Sequence, residues 1–574
     1  MATIFEALKS CEYLESVLRD SFGPCGLDVM LNSSSGSILI TNSGGVVLNS
    51  LNIENPLGRV IVDKMKSHSF VTGDGVTSFI IVVIQALKEI IGLLEMKEGI
   101  GELELKPQSW QTIISLSKAF YKIANDVAPD NISPVLNKVA IHTNLEPQNK
   151  DEIKQKLTQL IKTTLNGKFS VLCQDLFTSL LIDFISNTCK LGHELYQGII
   201  QALDDFSHFC TEFHGTPVQN SCVIQGFAIP RQFATNDKQV LPKSGKNVFT
   251  FLIIHCSLDD VKLTADVVTF NIKNETMLGK ALSHKRNIVF SILQSLKEQD
   301  IQLIISSEGV SDMVLQLCQQ FNIAVIQMVP METVSHLCKY GNVQPLCHHD
   351  LFELKNLSDI FLGKGKFCKE KALGVHKFVH LEIDKQVDSN HIVPYLILLC
   401  APTQGLCQQY YIALHNALKS IKMSFSDNRL HLIMLPGCGS VEFLLANEFG
   451  KYAKATKDKN LSLAYSVLSK SLLQVPHTLH KNSHSCTSRD KNFLRVQQEV
   501  KFSFRVDGSV LGVNGTTGCV IDPYRKGIFE PLNGKMLWIS HILQCLSMIL
   551  RVERIISVKS IVRDDEKESS DSEE

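Results

Sequence analysis

The sequence has no excess of charge of either sign. Its 574 residues contain 57 Lys plus Arg against 58 Asp plus Glu, for a formal net charge of −1. Proteins whose main partner is nucleic acid or an anionic membrane usually carry a basic surplus that phosphate groups attract. The composition therefore argues against nucleic acid and against a membrane surface as the main partner.

The sequence also has no closely spaced cysteine pairs. Seventeen cysteines are present, an odd number, and none of them forms a C-x-x-C pair. This scatter is typical of reduced thiols in the cytosol. The run Cys347-His348-His349-Asp350 suggests a metal-dependent enzyme as an alternative. We expect no metal there, because adjacent histidines on a loop seldom converge on one ion and no second ligand pair follows.

A secretory leader and a long uninterrupted apolar run are absent as well. The first six residues, MATIFE, do not form a basic region followed by an apolar core. The most apolar stretch, 79–95, is interrupted by Gln85, Lys88 and Glu89, and it predicts a core helix that is too short and too polar to span a membrane. We therefore expect no membrane span and a location in the cytoplasm or nucleus.

What the sequence does contain is enough apolar material for several domains. Hydrophobic residues make up 44% of the chain, and its length predicts about three or four domains. Residues 1 to about 130 carry apolar helix patterns joined by Gly-rich turns, and helices are predicted again after about residue 375. The middle alternates strand and helix, with predicted strands at 248–254, 301–305 and 323–326. Similar ends around a different middle predict an α+β multidomain chain in which a central domain is inserted into a helical one.

The most informative local feature is a glycine turn in front of an apolar helix. The run Thr72-Gly73-Asp74-Gly75-Val76-Thr77-Ser78 leads directly into the apolar stretch. Two glycines let the backbone pass close to an anion, and the first N–H groups of the helix can bind phosphate oxygens. Asp74 between them would face a magnesium ion. A plain helix-entry turn is the alternative interpretation, because many tight turns contain these residues.

Several short motifs occur in the order found in the group II chaperonins, and the chain resembles that family over most of its length. The motifs that carry the resemblance are Phe22-Gly23-Pro24-Cys25-Gly26-Leu27-Asp28, Thr41-Asn42-Ser43-Gly44, Thr72-Gly73-Asp74-Gly75-Val76-Thr77, Gly437-Cys438-Gly439-Ser440-Val441-Glu442, Leu472-Leu473-Gln474-Val475-Pro476-His477-Thr478-Leu479, Asp522-Pro523-Tyr524-Arg525-Lys526-Gly527-Ile528-Phe529-Glu530-Pro531 and Ile549-Leu550-Arg551-Val552-Glu553-Arg554-Ile555-Ile556.

The resemblance implies the group II chaperonin fold, with a helical equatorial domain built from both chain ends, an intermediate domain and an inserted α/β apical domain. The implied segments are 1–130 (equatorial), 131–214 (intermediate), 215–374 (apical), 375–428 (intermediate) and 429–562 (equatorial). The remaining residues, 563–574, form an acidic tail. We expect this tail to be disordered, because it has almost no apolar side chain to bury.

The same resemblance implies a site for ATP and Mg²⁺. Asp74 is similar to the family's magnesium ligand. The residues that would surround the nucleotide are Gly23, Pro24 and Gly26 in an opposing loop, Gly44, the phosphate cradle of Gly73, Gly75, Val76 and Thr77, and then Gly437, Gly439 and Asp522 near the nucleoside. The alternative for each glycine is that it only permits a turn.

Two departures from the family pattern bear on activity. Ser43 stands where the family has the aspartate of Thr-Asn-Asp-Gly, and Asn416 stands where a second water-orienting aspartate is implied. A hydroxyl or an amide cannot accept a proton from water near neutral pH, so we expect hydrolysis to be lost or very slow. Cys25 and Val29 also replace lysines common in active members. An ATP site that survives only as scaffold is therefore an alternative to a working binding site.

Some segments resemble the divergent chaperonin-like proteins of the Bardet–Biedl group. These segments are 55–63, 405–406, 413–419 and 543–550. This resemblance implies a role in assembling the ciliary BBSome. The implied partners are other chaperonin-like Bardet–Biedl proteins and the cytosolic chaperonin, with BBSome subunits as clients, in the cytoplasm near the centrosome or ciliary basal body. An active ATP-dependent protein-folding chaperonin subunit is the alternative, which the two missing aspartates disfavour.

Overall fold

The structure is a computed structural model, and it describes residues 2–32, 38–98, 107–125, 132–189, 191–235, 241–242, 248–258, 275–347, 358–384, 394–483 and 489–555. Helices and sheets are both abundant, which confirms the predicted α+β class. The acidic tail 563–574 and most of the run 347–350 lie outside the described residues. Within these residues no group of three His, Cys, Asp or Glu side chains could hold a metal ion.

The N-terminal part is mostly helical. Its elements are α1 (Ala2–Leu18), β1 (Val29–Asn32), β2 (Ile38–Thr41), α2 (Gly44–Ser50), α3 (Pro56–Thr72), α4 (Val76–Glu98), α5 (Pro107–Lys122) and α6 (Ser133–Val139).

The middle of the chain mixes helices with most of the strands. Its elements are β3 (Ile141–Asn144), α7 (Lys150–Leu165), α8 (Val171–Thr188), α9 (Leu195–Asp204), α10 (Phe206–Phe209), β4 (Cys210–His214), β5 (Cys222–Gln225), β6 (Phe227–Ile229), β7 (Phe249–Ile254), α11 (Glu275–Glu298), β8 (Ile301–Ser306), α12 (Asp312–Gln320), β9 (Ala324–Ile326), α13 (Met331–Gly341), β10 (Leu362–Leu373), β11 (His376–Ile383), β12 (Tyr395–Ala401), α14 (Gln404–Lys422) and β13 (His431–Pro436).

The C-terminal part is helical again. Its elements are α15 (Ser440–Ala455), α16 (Lys459–Leu472), α17 (Gln474–Lys481), α18 (Arg489–Val506), β14 (Gly512–Val513), β15 (Val520–Ile521), α19 (Pro523–Lys526), β16 (Phe529–Pro531) and α20 (Leu532–Ile549).

One hydrophobic core joins the two ends of the chain. It contains side chains from α1, α3, α4 and α5 together with side chains from α15, α16 and α20. Helix α4 lies at its centre, and Phe79 to Val83 are completely buried. The prediction that this helix is too short and too polar to span a membrane was wrong. By length and composition alone, residues 76–95 could cross a membrane. In the fold, however, 67% of that stretch is buried inside the protein, as expected of a core helix.

The middle region is organised around a six-stranded sheet of order β6-β11-β10-β7-β8-β9. Strands β7, β8 and β9 are parallel neighbours, and they match the three strands predicted from the sequence. Helices α11 and α12 form the two crossovers and pack beside this part of the sheet. Such crossovers are the usual way to join parallel strands.

The prediction of helices after about residue 375 was partly wrong, because the described residues there include six strands, β11 to β16. Strand β11 completes an antiparallel hairpin with β10, β12 is the central strand of the sheet β4-β12-β5, and β13 is the central strand of the sheet β16-β13-β3. Short apolar runs such as Tyr395–Ala401 fit either a buried strand or a buried helix by pattern alone. The sheet partners, which are distant in sequence, decide between the two.

The domain boundaries themselves stay predictions, but the large sheet suggests how to test one of them. Strand β11 lies beyond residue 374, and its Phe378, Val379 and Leu381 are buried. Each such side chain stabilises a fold by about 1.5–3 kcal/mol. We therefore expect a fragment 215–384 to fold alone and a fragment 215–374 to be much less stable. Circular dichroism and limited proteolysis of both fragments measure this, and an unfolded longer fragment would contradict an inserted domain.

Candidate functional site

A cavity of about 580 Å³ lies where loops from both chain ends meet the turn between α7 and α8. It is lined by most of the predicted site residues: Gly23, Pro24, Ser43, Gly44, Gly73, Asp74, Gly75, Val76, Thr77 and Gly439. The fold therefore brings together residues from three motifs in the first eighty positions and one motif near position 440.

Four predicted site residues do not line this cavity. Gly26 closes a turn by donating its N–H to the carbonyl of Gly23 at 3.1 Å, and Gly437 donates to the carbonyl of Ile528 at 3.0 Å. Asp522 caps α19, since its Oδ1 accepts the N–H of Tyr524 at 3.0 Å. These three residues shape the loops around the cavity instead of facing it. The fourth, Asn416, lines an adjoining pocket described below.

The glycine turn between α3 and α4 forms one wall. Gly73 caps α3 with a left-handed φ of 77°, and Gly75 has a φ of 87°. A Cβ atom on Gly73 would lie 2.9 Å from the carbonyl oxygen of Asn416, so any other residue would be strained and would also collide with α14. The first N–H groups of α4 have no acceptor within their own helix. They follow this turn, at the positive end of a 23-residue helix.

Asp74 is held at the mouth of this turn. Its Oδ1 accepts the N–H of Gly75 at 2.8 Å, and the Thr72 hydroxyl donates to its main-chain carbonyl at 2.8 Å. The carboxylate is exposed and lines the cavity. One carboxylate oxygen thus orders the loop, and the other is available to a cation.

Ser43 and Asn416 meet in a small pocket of about 10 Å³ beside the main cavity. This is close to the space that a single water needs. Ser43 occupies the cap position of α2, but its side chain makes no capping hydrogen bond. Asn42, Lys168 and Gln409 are the other long polar side chains around the pocket. Nothing in this set is a carboxylate, so the pocket holds no general base of the kind found in the family pattern.

Lys168 and Lys526 contribute positive charge to the cavity wall. The segment around Lys168 is held against two loops, because the Asn42 side chain donates to the carbonyl of Gly167. A Cβ atom on Gly167 would lie 2.7 Å from the carbonyl oxygen of Gly23, which shows how closely the segments approach. Within the described residues, neither lysine forms a salt bridge. Both can therefore interact with an anion.

A third lysine on the wall, Lys535, already forms salt bridges with two carboxylates. Lys535 Nζ lies 2.7 Å from Glu442 Oε1 and 2.6 Å from Glu530 Oε2. Burial opposes the charge on Lys535, but the two carboxylates hold its pKa above the usual value. Burial raises the pKa of Glu530, and the negative charges of Glu442 and Asp74 raise it further. Lys535 lowers this pKa, but its effect is the smaller one. The group is an ion triad with an excess of negative charge, in which Lys535 and Glu442 are buried and Glu530 is partly exposed.

Two histidines lie beneath the glycine turn. His68 lines the cavity, and its Nδ1 is 3.1 Å from Nδ1 of His541. Burial first, and His541 second, lower the pKa of His68 to about 4. His68 is therefore neutral at physiological pH, and it adds no positive charge where phosphate would bind.

Several residues on the wall were missed by sequence reasoning. They include His68, Lys168, Glu442, Asn514, Glu530, Lys535 and Trp538. Turn signals such as Asn166-Gly167 and Asn514-Gly515 could have drawn attention to Lys168 and Asn514. No local signal marks Lys535 or Trp538, because both lie within an ordinary apolar helix.

Cys25 and Val29, which replace the family's lysines, do not line the cavity. Cys25 lies in the turn after Pro24, and Val29 begins β1. The positive charge on the wall comes instead from Lys168 and Lys526.

Comparisons with known proteins agree with this architecture. A family model described as the TCP-1/cpn60 chaperonin family matches residues 14–104 and 114–560. The structure is similar to the crystal structure of a group III chaperonin in the open state, with a TM-score of 0.68 and 17% identity, over 96% of this chain and 98% of the other. The predicted chaperonin fold is thereby confirmed.

Two kinds of curated relative are similar to the chain. The BBSome complex assembly protein BBS10 of Homo sapiens is 24% identical over 430 residues, which cover 73% of this chain and 57% of the relative. The protein of the same name from Mus musculus is 23% identical over 75% of this chain and 60% of its own length. This chain thus spans about three fifths of the length of these relatives. The thermosome subunit beta of Archaeoglobus fulgidus is 21% identical over 97% of this chain and 92% of its own length.

The family match extends through nearly all of the described chain, and it includes the loops that line the cavity. The resemblance to a Bardet–Biedl chaperonin-like protein predicted from the motifs is confirmed by the similarity to BBS10. The chain is a divergent member of the TCP-1/cpn60 chaperonin family.

Proposed function

We propose that this chain is a chaperonin-like protein that binds ATP with Mg²⁺, hydrolyses it slowly or not at all, and assists the assembly of BBSome-type complexes together with other chaperonin-like subunits. The observation that carries the proposal is the pocket formed by Ser43 and Asn416, which has no carboxylate and lies beside a cavity lined by most of the predicted nucleotide-binding residues. The name of the relative BBS10 supplies the assembly role.

The cavity residues fit a magnesium–polyphosphate ligand. The glycine turn permits close approach of an anion, and the first N–H groups of α4 lack helical acceptors. The wall also carries Asp74, Glu442 and Glu530, so a polyphosphate alone would meet repulsion. A magnesium ion bound between Asp74 and the phosphates would neutralise that charge when present. Lys168 and Lys526 would balance the remaining negative charge of the nucleotide.

Slow hydrolysis follows from the chemistry of the small pocket. Ser43 and Asn416 can hydrogen-bond to a water, but neither side chain can remove its proton near neutral pH. Loss of a general base typically slows a reaction by about 10²- to 10⁴-fold. Nucleotide would then act as a bound ligand, and its hydrolysis would not be the source of energy for the protein.

A slow ATPase needs partners that supply an ATP-driven cycle. We propose that these partners are other chaperonin-like Bardet–Biedl proteins and the cytosolic chaperonin, and that BBSome subunits are clients. The corresponding location is the cytoplasm at the centrosome or ciliary basal body. The acidic tail at 563–574 supports a mixed assembly, because many copies of it in one ring would bring like charges together, and screening acts over only about 8 Å at physiological salt.

The second candidate function is an active ATP-dependent protein-folding chaperonin subunit. The similarity to thermosome subunits over 97% of the chain favours it, as does the intact turn around Asp74. Phosphate release from the purified protein distinguishes the two functions.

The assembly role is tested by the oligomeric state of the protein and by the proteins that copurify with it. Recombinant protein alone is expected to elute as monomers or small species, measured by size-exclusion chromatography with light scattering. The tagged protein expressed in ciliated cells is expected to copurify with chaperonin-like partners and BBSome subunits, and its removal should lower the amount of assembled BBSome. A symmetric double ring of this chain alone, or an unchanged BBSome after its removal, would contradict the proposal.

A further inference from the structure

The indole of Trp538 is a buried hydrogen-bond donor on the wall of the cavity. We propose that its N–H donates to a phosphate oxygen of a bound magnesium nucleotide, a role that rests on the nucleotide binding proposed above. Trp538 lies in α20, is only 3% exposed, and lines the cavity. Within the described residues, its Nε1 has no hydrogen-bond partner.

An orphaned donor of this kind is uncommon. More than about nine in ten buried polar groups have a partner in folded proteins. An indole nitrogen can only donate, so whatever satisfies Trp538 must present an acceptor. The Trp538 N–H is therefore available to an oxygen of a ligand that reaches this point of the wall.

The position of the Trp538 ring indicates that the acceptor is an oxygen of a phosphate group. Trp538 Cδ1, the atom bonded to Nε1, lies 3.4 Å from the position of a Cβ atom on Gly75. The N–H edge of the indole thus borders the turn between Gly73 and Val76, where the first N–H groups of α4 also begin. Donors from the main chain and from Trp538 therefore border one space, and a phosphate group offers several acceptors to such a set.

The positive charge of Lys535 beside the Trp538 ring also favours donation by the indole N–H to an anion. Lys535 Nζ lies 4.9 Å from the centroid of the Trp538 ring. A cation at this distance is attracted by the electrons of the ring. It also polarises the indole so that the N–H becomes a better donor to an anion. The ion triad and the orphaned N–H are in this way parts of one arrangement.

The test uses Trp538→Phe, which keeps an aromatic ring and removes the donor together with part of the buried indole. Binding of Mg-ATP to the full chain, measured by calorimetry, is expected to weaken by about 10- to 100-fold, because a hydrogen bond to a charged group is lost. The melting temperature of the unliganded protein is expected to change little, because removal of an unpaired buried donor offsets the loss of packed ring atoms. The increase in melting temperature on adding Mg-ATP should shrink.

Trp110 provides a matched control, because the chain has only two tryptophans and Trp110 does not line the cavity. Trp110→Phe is expected to bind Mg-ATP as the wild type does, and its remaining fluorescence, which comes from Trp538 alone, should change on binding. In the Trp538→Phe protein the fluorescence of Trp110 should not respond.

The outcomes separate this inference from the function on which it rests. Equal affinity of Trp538→Phe and wild type would overturn the role of the indole and leave nucleotide binding intact. A parallel fall in affinity and in the melting temperature of the unliganded protein would assign Trp538 a structural role only, and so would also overturn it. Absence of Mg-ATP binding by the wild type would contradict both proposals.

Discussion

The purified protein is expected to release phosphate from ATP at least about 100-fold more slowly than an active chaperonin. The reason is the pocket in which Ser43 and Asn416 meet, because no carboxylate there can accept a proton from water. Steady-state phosphate release in saturating Mg-ATP measures the rate. Binding is measured separately, by calorimetry, so that slow turnover is not confused with an unfilled site.

Restoring both carboxylates should raise the rate more than restoring either one. Ser43→Asp and Asn416→Asp would place two carboxylates around the same pocket, and Lys168 on its wall would help to keep them ionised. The double variant Asn49→Asp with Ser50→Asp is a matched control. It adds the same charge at exposed positions of α2, outside the pocket, and should leave turnover unchanged. Fast wild-type hydrolysis that Asp74→Ala abolishes would contradict the prediction.

Replacing Lys535 by methionine should destabilise the fold by about 3–5 kcal/mol. The side chain of Lys535 is 9% exposed and that of Glu442 is 3% exposed, so the change would leave the Glu442 carboxylate buried without its cation. Glu530, which is 31% exposed, would lose the same partner. The free energy of unfolding from denaturant titration measures the loss. The exposed Lys118 of α5, replaced by the same residue, is the control and should change stability by less than about 0.5 kcal/mol.

A rescue experiment tests the physical cause. Adding Glu442→Gln and Glu530→Gln to Lys535→Met should recover part of the lost stability, because the uncompensated charges are then gone. The pKa of Lys535 is raised in the folded state. Its contribution is therefore fully present below the pKa of an unfolded lysine, and it is lost only as the pH rises through the folded value. Equal stability of the triple variant and of Lys535→Met would contradict uncompensated charge as the cause.

Much of the local structure could be predicted because it depends on neighbours in the sequence. Helix α3 begins where Asn55 accepts the N–H of Leu57 at 2.9 Å, with Pro56 in its first turn, and it ends at Gly73 in the left-handed conformation. These are the signals expected of a helix start and a helix stop. The glycine turn and the buried helix α4 follow from the same short-range rules. The motif order was sufficient to predict the chaperonin fold.

The less accurate predictions concern residues whose surroundings come from distant parts of the chain. Strands β11, β12 and β13 were read as helix because their pairing partners lie far away in the sequence. Asp522 was predicted to lie near the nucleoside, and that role stays a prediction; in the fold its carboxylate caps α19. This cap could have been predicted, because Asp522 followed by Pro523 is the same helix-start signal as Asn55 followed by Pro56.

By itself, the sequence determined the family and the glycine turn with Asp74, and it showed Ser43 and Asn416 where the resemblance implies carboxylates, because residue identity and local spacing are sufficient for each. Only the tertiary structure decided that Ser43 and Asn416 share one pocket, that Lys535 is tied to Glu442 and Glu530, and that the Trp538 N–H has no partner. Sequence patterns predict structure only over a length of about one helical turn or one strand. The contacts that shape this cavity join side chains as far apart in sequence as Ser43 and Asn416, and they form only when the helices that carry them pack together in the fold.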